Sequence, residues 1–170
     1  MDPLTGPAPA HRRFHGKGVV MKTPLAIFLA LVVASFAGGC ATGPKYQEYR
    51  ATIPPIPSGQ GRVWVYRPSK MIGAAVQPLV HLNDVVVGKS QPGCYFFADR
   101  PAGDYEVKTA TEWADKLQIK LLAGEEKYVR LTMLPGVFVG HLKPGEVPKE
   151  QALRELEGCR LITADGAGAR

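Results

Sequence analysis

The chain has 170 residues, with 21 Lys or Arg against 15 Asp or Glu, which gives a formal net charge of +6 when His is neutral. This length suits one domain of ordinary size and hardly allows two. A hydrophobic fraction of 45% excludes wholesale disorder, and three cysteines are too few for a disulfide-dense mini-protein. We therefore expect one folded domain with a hydrophobic core.

The first element in chain order is a short apolar run. Residues 25–37 (LAIFLALVVASFA) carry no charge, follow Lys22, and lead into the sequence AGGC at positions 37–40. Because a helix needs about 20 apolar residues to cross a bilayer, the run is too short for a comfortable membrane span. A positive start, a short apolar region and small residues at a cleavage point are typical of a secretory signal peptide. We predict this signal peptide at residues 21–39.

The cysteine at the end of the signal makes it more specific. Cys40 directly follows the small residues, and this pattern resembles the lipobox of bacterial lipoproteins, although Ala37 stands where Leu is usual. In a lipobox the thiol receives a diacylglyceryl group and becomes the first residue after cleavage. The resemblance implies cleavage between Gly39 and Cys40, with palmitate-type acyl chains on Cys40. The alternative is a plain signal peptide with an incidental cysteine.

Residues 1–20 precede this signal, and we expect them to be an upstream extension outside the mature protein, with translation starting at Met21. Removing residues 1–39 leaves 17 basic and 14 acidic residues, a formal charge of +3. A nucleic-acid-binding surface needs clustered basic residues. We therefore expect no nucleic-acid partner.

A Pro- and Gly-containing stretch follows the candidate lipidation site. Residues 40–60 lack a sustained hydrophobic period and gather prolines at 54–57, which predicts an extended tether between the membrane and the folded domain. Ala41, in place of Asp after the cysteine, favours the outer membrane by resemblance to enteric sorting rules. We expect a lipid-anchored protein of the cell envelope that faces the periplasm, with its folded domain at 61–163 and a flexible tail at 164–170.

The folded domain divides into short β-branched and aromatic runs bounded by turn residues. Asn-Asp at 83–84 indicates a two-residue hairpin, and an apolar stripe after a proline predicts one helix at 148–158. Strands are predicted at 62–67, 79–82, 85–87, 95–98, 105–111, 117–121, 127–133 and 137–139, with a final one at 159–162 and a Pro- and Gly-containing loop after 139. The pattern predicts a mainly β fold, an antiparallel β-sandwich of about seven strands with one short C-terminal helix.

Four segments of this domain resemble a known family. They are GRVWVYRPSKMIGAAVQPLVHLND, GCYFFADRPAGDYEV, TEWADKLQIKLLAGEEKYVRL and the late GCRL, spanning residues 61–161. They resemble the bacterial lipoproteins grouped as domain of unknown function 2846, and PAGDYEV also resembles PEGA and carboxypeptidase-regulatory-type sandwiches. Asn-Asp at 83–84 departs from the Asn-Gly that is common in the family. The resemblance implies an exported β-sandwich with no enzymatic activity and no catalytic residues to carry over.

The residues themselves show no catalytic or metal-binding pattern. His81 and His141 have no closely spaced His or Cys neighbours of the kind that zinc sites use. We expect His81 in a strand and His141 in a loop. No serine lies in a nucleophile-elbow motif, and the carboxylates are scattered among turns. We expect neither a metal nor another cofactor, and we expect that the protein is not an enzyme. A hydrolase would require carboxylates or a His to converge in a cleft.

The two remaining cysteines form an even pair in an oxidising compartment. A disulfide between Cys94 and Cys159 would close a loop of about 65 residues and contribute roughly 4 kcal/mol by the chain-entropy model. We favour this disulfide. Two buried free thiols, or a reactive or intermolecular thiol, are the alternatives.

Three aromatic residues form the candidate ligand patch. Trp64 and Tyr66 share one face of their strand while valines occupy the other, and Trp113 lies near a strand end. The aromatic face is either covered by the helix or exposed as a binding surface. We favour a non-enzymatic envelope lipoprotein, a structural or interaction module with an envelope protein as candidate partner. The alternative is a periplasmic binding module for a small ligand, a glycan or a peptidoglycan fragment, acting through these aromatics.

Overall fold

The structure, a computed structural model, describes residues 43–109, 115–136 and 140–162. Its helical elements are α1 (Tyr46–Tyr49), a 3-10 turn (Arg50–Thr52) and α2 (Lys149–Leu156). Its strands are β1 (Gln60–Arg67), β2 (Leu79–Leu82), β3 (Val85–Lys89), β4 (Cys94–Pro101), β5 (Gly103–Thr109), β6 (Lys116–Leu121), β7 (Glu126–Leu134), β8 (His141–Glu146) and β9 (Arg160–Leu161). The mainly β fold class is confirmed, with nine strands described where about seven were expected.

The strands form two sheets. Sheet A has the order β8-β7-β1-β4-β9, and sheet B has the order β3-β2-β5-β6. In sheet A, β1 pairs antiparallel with β4 but parallel with β7, and β4 pairs parallel with β9. Sheet A is therefore mixed rather than wholly antiparallel, while every pair in sheet B is antiparallel.

Sheet B follows the alternation that its sequence shows. In β6 the side chains of Ile119 and Leu121 are buried, while Gln118 and Lys120 are exposed. The β2–β3 hairpin turns at Asn83, whose φ of 55° lies in the left-handed region that Asn tolerates better than most residues. The predicted hairpin at 83–84 is thus confirmed.

The main hydrophobic core lies between the two sheets. It contains Val63 and Val65 of β1 together with sheet-B residues such as Val80, Val107 and Leu121, all at most 1% exposed. A second apolar cluster lies on the opposite face of sheet A, under α2. Sheet A is therefore the middle one of three layers, and its central strand, β1, is buried on both faces.

Strand β8 is a correction to the sequence analysis, which predicted a loop there. His141 is the first residue of β8, and Pro144 pairs with Leu131 of β7. Proline lacks the N–H that a central strand must donate, but β8 is the edge strand of sheet A and has a partner on one side only. The residues at 137–139, predicted as a strand, lie outside the described part of the chain.

Candidate functional site on the outer face of sheet A

Six aromatic rings gather on the face of sheet A that points away from the core. We call them the outer-face cluster: Tyr46, Trp64, Tyr66, Tyr95, Phe97 and Tyr128. Trp64 lies at its centre, because β4 and β7 flank β1 and bring rings to it from both sides. Its ring centroid is 5.0 Å from that of Phe97 and 6.1 Å from that of Tyr128, to which it is nearly parallel. Ring pairs at such distances contribute beyond simple area burial.

Two segments cover the outer-face cluster. Helix α2 buries Ala152 and Leu156 against it. From the other end of the chain, Tyr46 places its ring edge-on to those of Trp64 and Tyr95, at 5.9 and 5.6 Å. The outer-face cluster is therefore covered by the N-terminal segment as well as by the helix, and this second cover was not predicted from the sequence.

The exposed ligand patch is consequently wrong for two of its three residues. Trp64 is 2% exposed and Tyr66 is not exposed at all, so neither ring can stack on a ligand in this conformation. The alternative interpretation, second-layer packing under the helix, is the arrangement that the structure shows. Trp113 lies outside the described residues.

Glu126 joins three elements at the edge of the cluster. Trp64 Nε1 donates a hydrogen bond to its Oε1 at 3.0 Å, and the Tyr128 hydroxyl donates to its Oε2 at 3.2 Å. Lys149, at the start of α2, forms an ion pair with the same Oε2. Burial alone would raise the pKa of Glu126, but the hydrogen bonds from Lys149, Trp64 and Tyr128 outweigh it and hold the pKa below its usual value.

A second carboxylate ties the far end of α2 to the sheet. The Tyr66 hydroxyl donates to Glu155 Oε2 at 2.8 Å, and Arg130 Nε lies 3.1 Å from the same oxygen. Burial, and then the hydrogen bond to Glu155, raise the pKa of the Tyr66 phenol. Neither Glu126 nor Glu155 was predicted as a functional residue, since nothing in the local sequence distinguishes Glu126 from the neighbouring Glu125.

The N-terminal segment enters the domain along β9. Leu161 N donates to Pro44 O at 2.8 Å, Tyr46 N donates to Cys159 O at 3.1 Å, and Arg160 Nη1 donates to Gly43 O at 3.1 Å. Gly43 has no room for a side chain, because a Cβ there would overlap the Leu161 carbonyl. We call residues 43–46 the anchor junction.

The anchor junction corrects the predicted tether at 40–60. Residues 46–52 are helical, and Ile53 packs against the outer-face cluster. The chain is therefore held to the domain from residue 43, three residues after Cys40. Gly39 and Cys40, the predicted cleavage and lipidation residues, lie outside the described part of the chain.

Cys94 and Cys159 are free and buried in the structure, so the favoured disulfide is not formed. Cys94 pairs with Arg67 on the neighbouring strand and lies on the face of sheet A opposite to Tyr95, whereas Cys159 packs against the outer-face cluster. Cys94 therefore lies on the inner face of sheet A, whereas Cys159 packs on its outer side. Burial raises the pKa of each thiol to about 12.

Arg67, at the end of β1, organises the loop that follows. Arg67 is 3% exposed, and its guanidinium donates to Gly73 O at 2.8 Å, Val76 O at 2.6 Å and Ser90 O at 3.1 Å. A small cavity of about 30 Å³ lies beside it, lined also by Arg130, and offers space for roughly two waters. Desolvation lowers the pKa of Arg67, but an arginine stays charged. We call residues 68–78 the β1–β2 loop.

The histidines form no metal site among the described residues. His141 Nε2 lies 3.3 Å from Asp115 Oδ2, and the Nδ1 atoms of His81 and His141 are buried without a hydrogen-bond partner. Within residues 43–109, 115–136 and 140–162, no three His, Cys, Asp or Glu side chains converge as metal ligands. In the same ranges no helix is long and apolar enough to cross a membrane.

The fold and its covered outer face define a class, a β-sandwich with a helix and an N-terminal segment packed on its larger sheet. The family follows from comparison: residues 57–142 match the family described as "Protein of unknown function (DUF2846)", and the chain belongs to it. This confirms the resemblance read from the sequence.

A relative and a solved structure are similar to the chain. An uncharacterized protein of Haemophilus influenzae is 28% identical over 152 residues, which cover 86% of this chain and 90% of that one. Residues 40–170 make up less than four fifths of the chain, so the match extends into the region before Cys40. The solved N-terminal domain of AlgF from P. aeruginosa is similar at 19% identity with a TM-score of 0.36, covering 54% of this chain and 98% of that domain.

Proposed function

We propose that the protein is a non-enzymatic lipoprotein of the bacterial cell envelope. In this proposal Cys40 carries the lipid, and the β-sandwich faces the periplasm as a structural or interaction module, with the outer membrane favoured by Ala41. The observation that carries the proposal is the apolar run of 25–37 ending in small residues and Cys40. A diacylglyceryl group supplies two acyl chains, and two chains are what stable membrane anchoring takes.

Two further observations support the proposal. The Haemophilus influenzae relative matches part of the region before Cys40, so this region is shared between the two proteins rather than peculiar to one. Gly43 and Pro44 already accept hydrogen bonds from Arg160 and Leu161 of β9, so at most residues 41 and 42 separate the candidate lipid from contacts with the sandwich. Three residue steps span at most about 11 Å, which would hold the sandwich against the membrane surface.

Metabolic labelling with palmitate in the native bacterium tests the proposal. Label and the corresponding mass increase are expected on the wild type and on Ala41→Ser, which leaves the thiol in place, and are expected to be absent from Cys40→Ser. The label decides the matter, because an uncleaved Cys40→Ser chain keeps its apolar leader and could still sediment with membranes. An unlabelled wild type, found as a soluble periplasmic chain, would refute the lipid anchor.

A further inference from the structure

The β1–β2 loop presents two large apolar side chains to solvent. Met71 is 92% exposed and Ile72 is 80% exposed, the two highest values among the exposed large hydrophobic residues. The loop that carries them is held by Arg67, which donates to the carbonyls of Gly73 and Val76. It also contains its own turns, with Ala74 N donating to Met71 O at 3.2 Å. A buried guanidinium therefore keeps an apolar tip in water, where nothing in the described part of the domain covers it.

This tip lies at the same end of the sandwich as the anchor junction. The loop follows Arg67, which pairs with Cys94 on β4, and Cys94 pairs with Arg160 on β9. At this end Ser69 packs beside Gly93, and Arg160 N donates to Gly93 O at 2.8 Å. Arg160 in turn forms an isolated antiparallel β-bridge, through the backbone, with Lys45 of the anchor junction. A continuous series of contacts therefore connects the loop to the segment that follows Cys40.

The same end carries an excess of positive charge. The side chains of Lys45, Lys70, Lys89 and Arg160 are exposed, and Lys89 ends β3 opposite Leu79, at this end of sheet B. None of these four side chains forms an ion pair within the described residues. The neighbouring segments contribute two exposed acidic residues, Glu48 and Glu157. Cations therefore outnumber carboxylates around the apolar tip.

We infer that this end of the sandwich docks on a leaflet of anionic phospholipids, with Met71 and Ile72 inserted at the boundary between headgroups and acyl chains. The inference rests on the proposed lipid anchor. The four exposed cations contact the headgroups. Because Cys40 lies three residues before Gly43, the lipid and the loop reach the same leaflet, and the anchor makes docking an intramolecular step with a high effective concentration.

The docking equilibrium responds to charge and apolar area in a calculable way. Each Lys near an anionic surface contributes about fivefold to the ratio of docked to undocked domain. Lys70→Gln and Lys89→Gln should each lower that ratio by this factor. Replacing Ile72 with Asn should lower the ratio of docked to undocked domain about tenfold or more. Transfer of a whole Ile side chain out of water favours the docked state by at least this factor, and Asn loses it.

A solvent-sensitive fluorophore on the mature acylated protein tests the docking. The probe NBD is attached at Met71→Cys and, as the matched control, at Asp84→Cys, whose native side chain is 98% exposed in the β2–β3 turn. Native Cys94 and Cys159 are buried, and circular dichroism checks that each variant is folded. The protein is reconstituted in vesicles of phosphatidylcholine alone or mixed with phosphatidylglycerol.

Docking predicts that the probe at residue 71 shifts to shorter wavelength in the phosphatidylglycerol vesicles, while the probe at residue 84 does not. The shift should weaken in pure phosphatidylcholine and on Lys70→Gln. A lipid-bearing protein, verified by mass, whose two probes stay equally hydrated would refute docking and leave the lipoprotein proposal intact. A protein without lipid would refute the anchor instead. A shift at residue 71 in native envelopes but not in lipid vesicles would indicate a protein partner and overturn the inference.

Discussion

Replacing Tyr46 with Ala should detach the anchor junction from the sandwich. The ring of Tyr46 makes edge contacts with Trp64 and Tyr95, and its backbone N donates to Cys159 O. Two aromatic contacts contribute about 1–3 kcal/mol together, and the half-buried ring adds about 1 kcal/mol of hydrophobic burial. We expect the free energy of unfolding to fall by about 2–4 kcal/mol, a sum that follows from these two terms.

Urea unfolding and hydrogen exchange together measure this change. The amide of Leu161, which donates to Pro44 O, should exchange faster in Tyr46→Ala because its acceptor is no longer held. Tyr46→Phe keeps the ring and is the matched control, with an expected change within about 0.5 kcal/mol. A wild-type-like free energy of unfolding in Tyr46→Ala, with unchanged exchange at Leu161, would show that the junction does not pack as described.

Three further predictions concern Glu126, Arg67 and the thiols. Glu126→Gln should lower stability by about 1–3 kcal/mol at pH 7, as charged hydrogen bonds are lost. Because folding lowers the pKa of Glu126, its contribution is full above the ordinary Glu value and is lost as the pH falls through the folded pKa; the two proteins should therefore converge in acid denaturation curves, and a constant difference would contradict this. Arg67→Lys should speed proteolysis within residues 68–78, since one ammonium cannot reproduce the planar fork, and an unchanged cleavage rate would count against the role of Arg67. Cys94 and Cys159 should not react with a thiol reagent in the folded protein, and both should react with it in urea without a reductant. If the two cysteines stay unreactive in urea until a reductant is added, the predicted disulfide between them is present after all.

Most of the strands could be predicted from the sequence, because their alternation is a local property. Ile119 and Leu121 alternate with polar residues, and both are buried in β6. Both faces of β1 are apolar in the sequence, which predicted a choice between a covering helix and an exposed patch. The choice itself was out of reach, since it depends on where α2 and residues 43–53 pack.

The elements that the sequence did not predict depend on distant partners. Residues 46–49 make a single helical turn, too short to form on its own, and the turn is stabilised by the contacts of Tyr46. Pro144 and Gly145 indicate a loop by local rules, yet they continue β8 because its outer edge needs no hydrogen-bond donor. The parallel pairing of β1 with β7 joins segments more than 60 residues apart, which no local pattern reports.

Strand β1 links the two features on which the proposals depend. Its outer-face residue Trp64 contacts Tyr46 of the anchor junction, and its last residue, Arg67, holds the β1–β2 loop. The two connections use different side chains, so they can be cut separately. Tyr46→Ala should lengthen the flexible connection to the lipid and leave the loop in place, whereas Arg67→Lys should release the loop and leave the connection short. If the sandwich docks through Met71, the Arg67 variant should therefore lose more of the fluorescence shift than the Tyr46 variant, even though both weaken the domain.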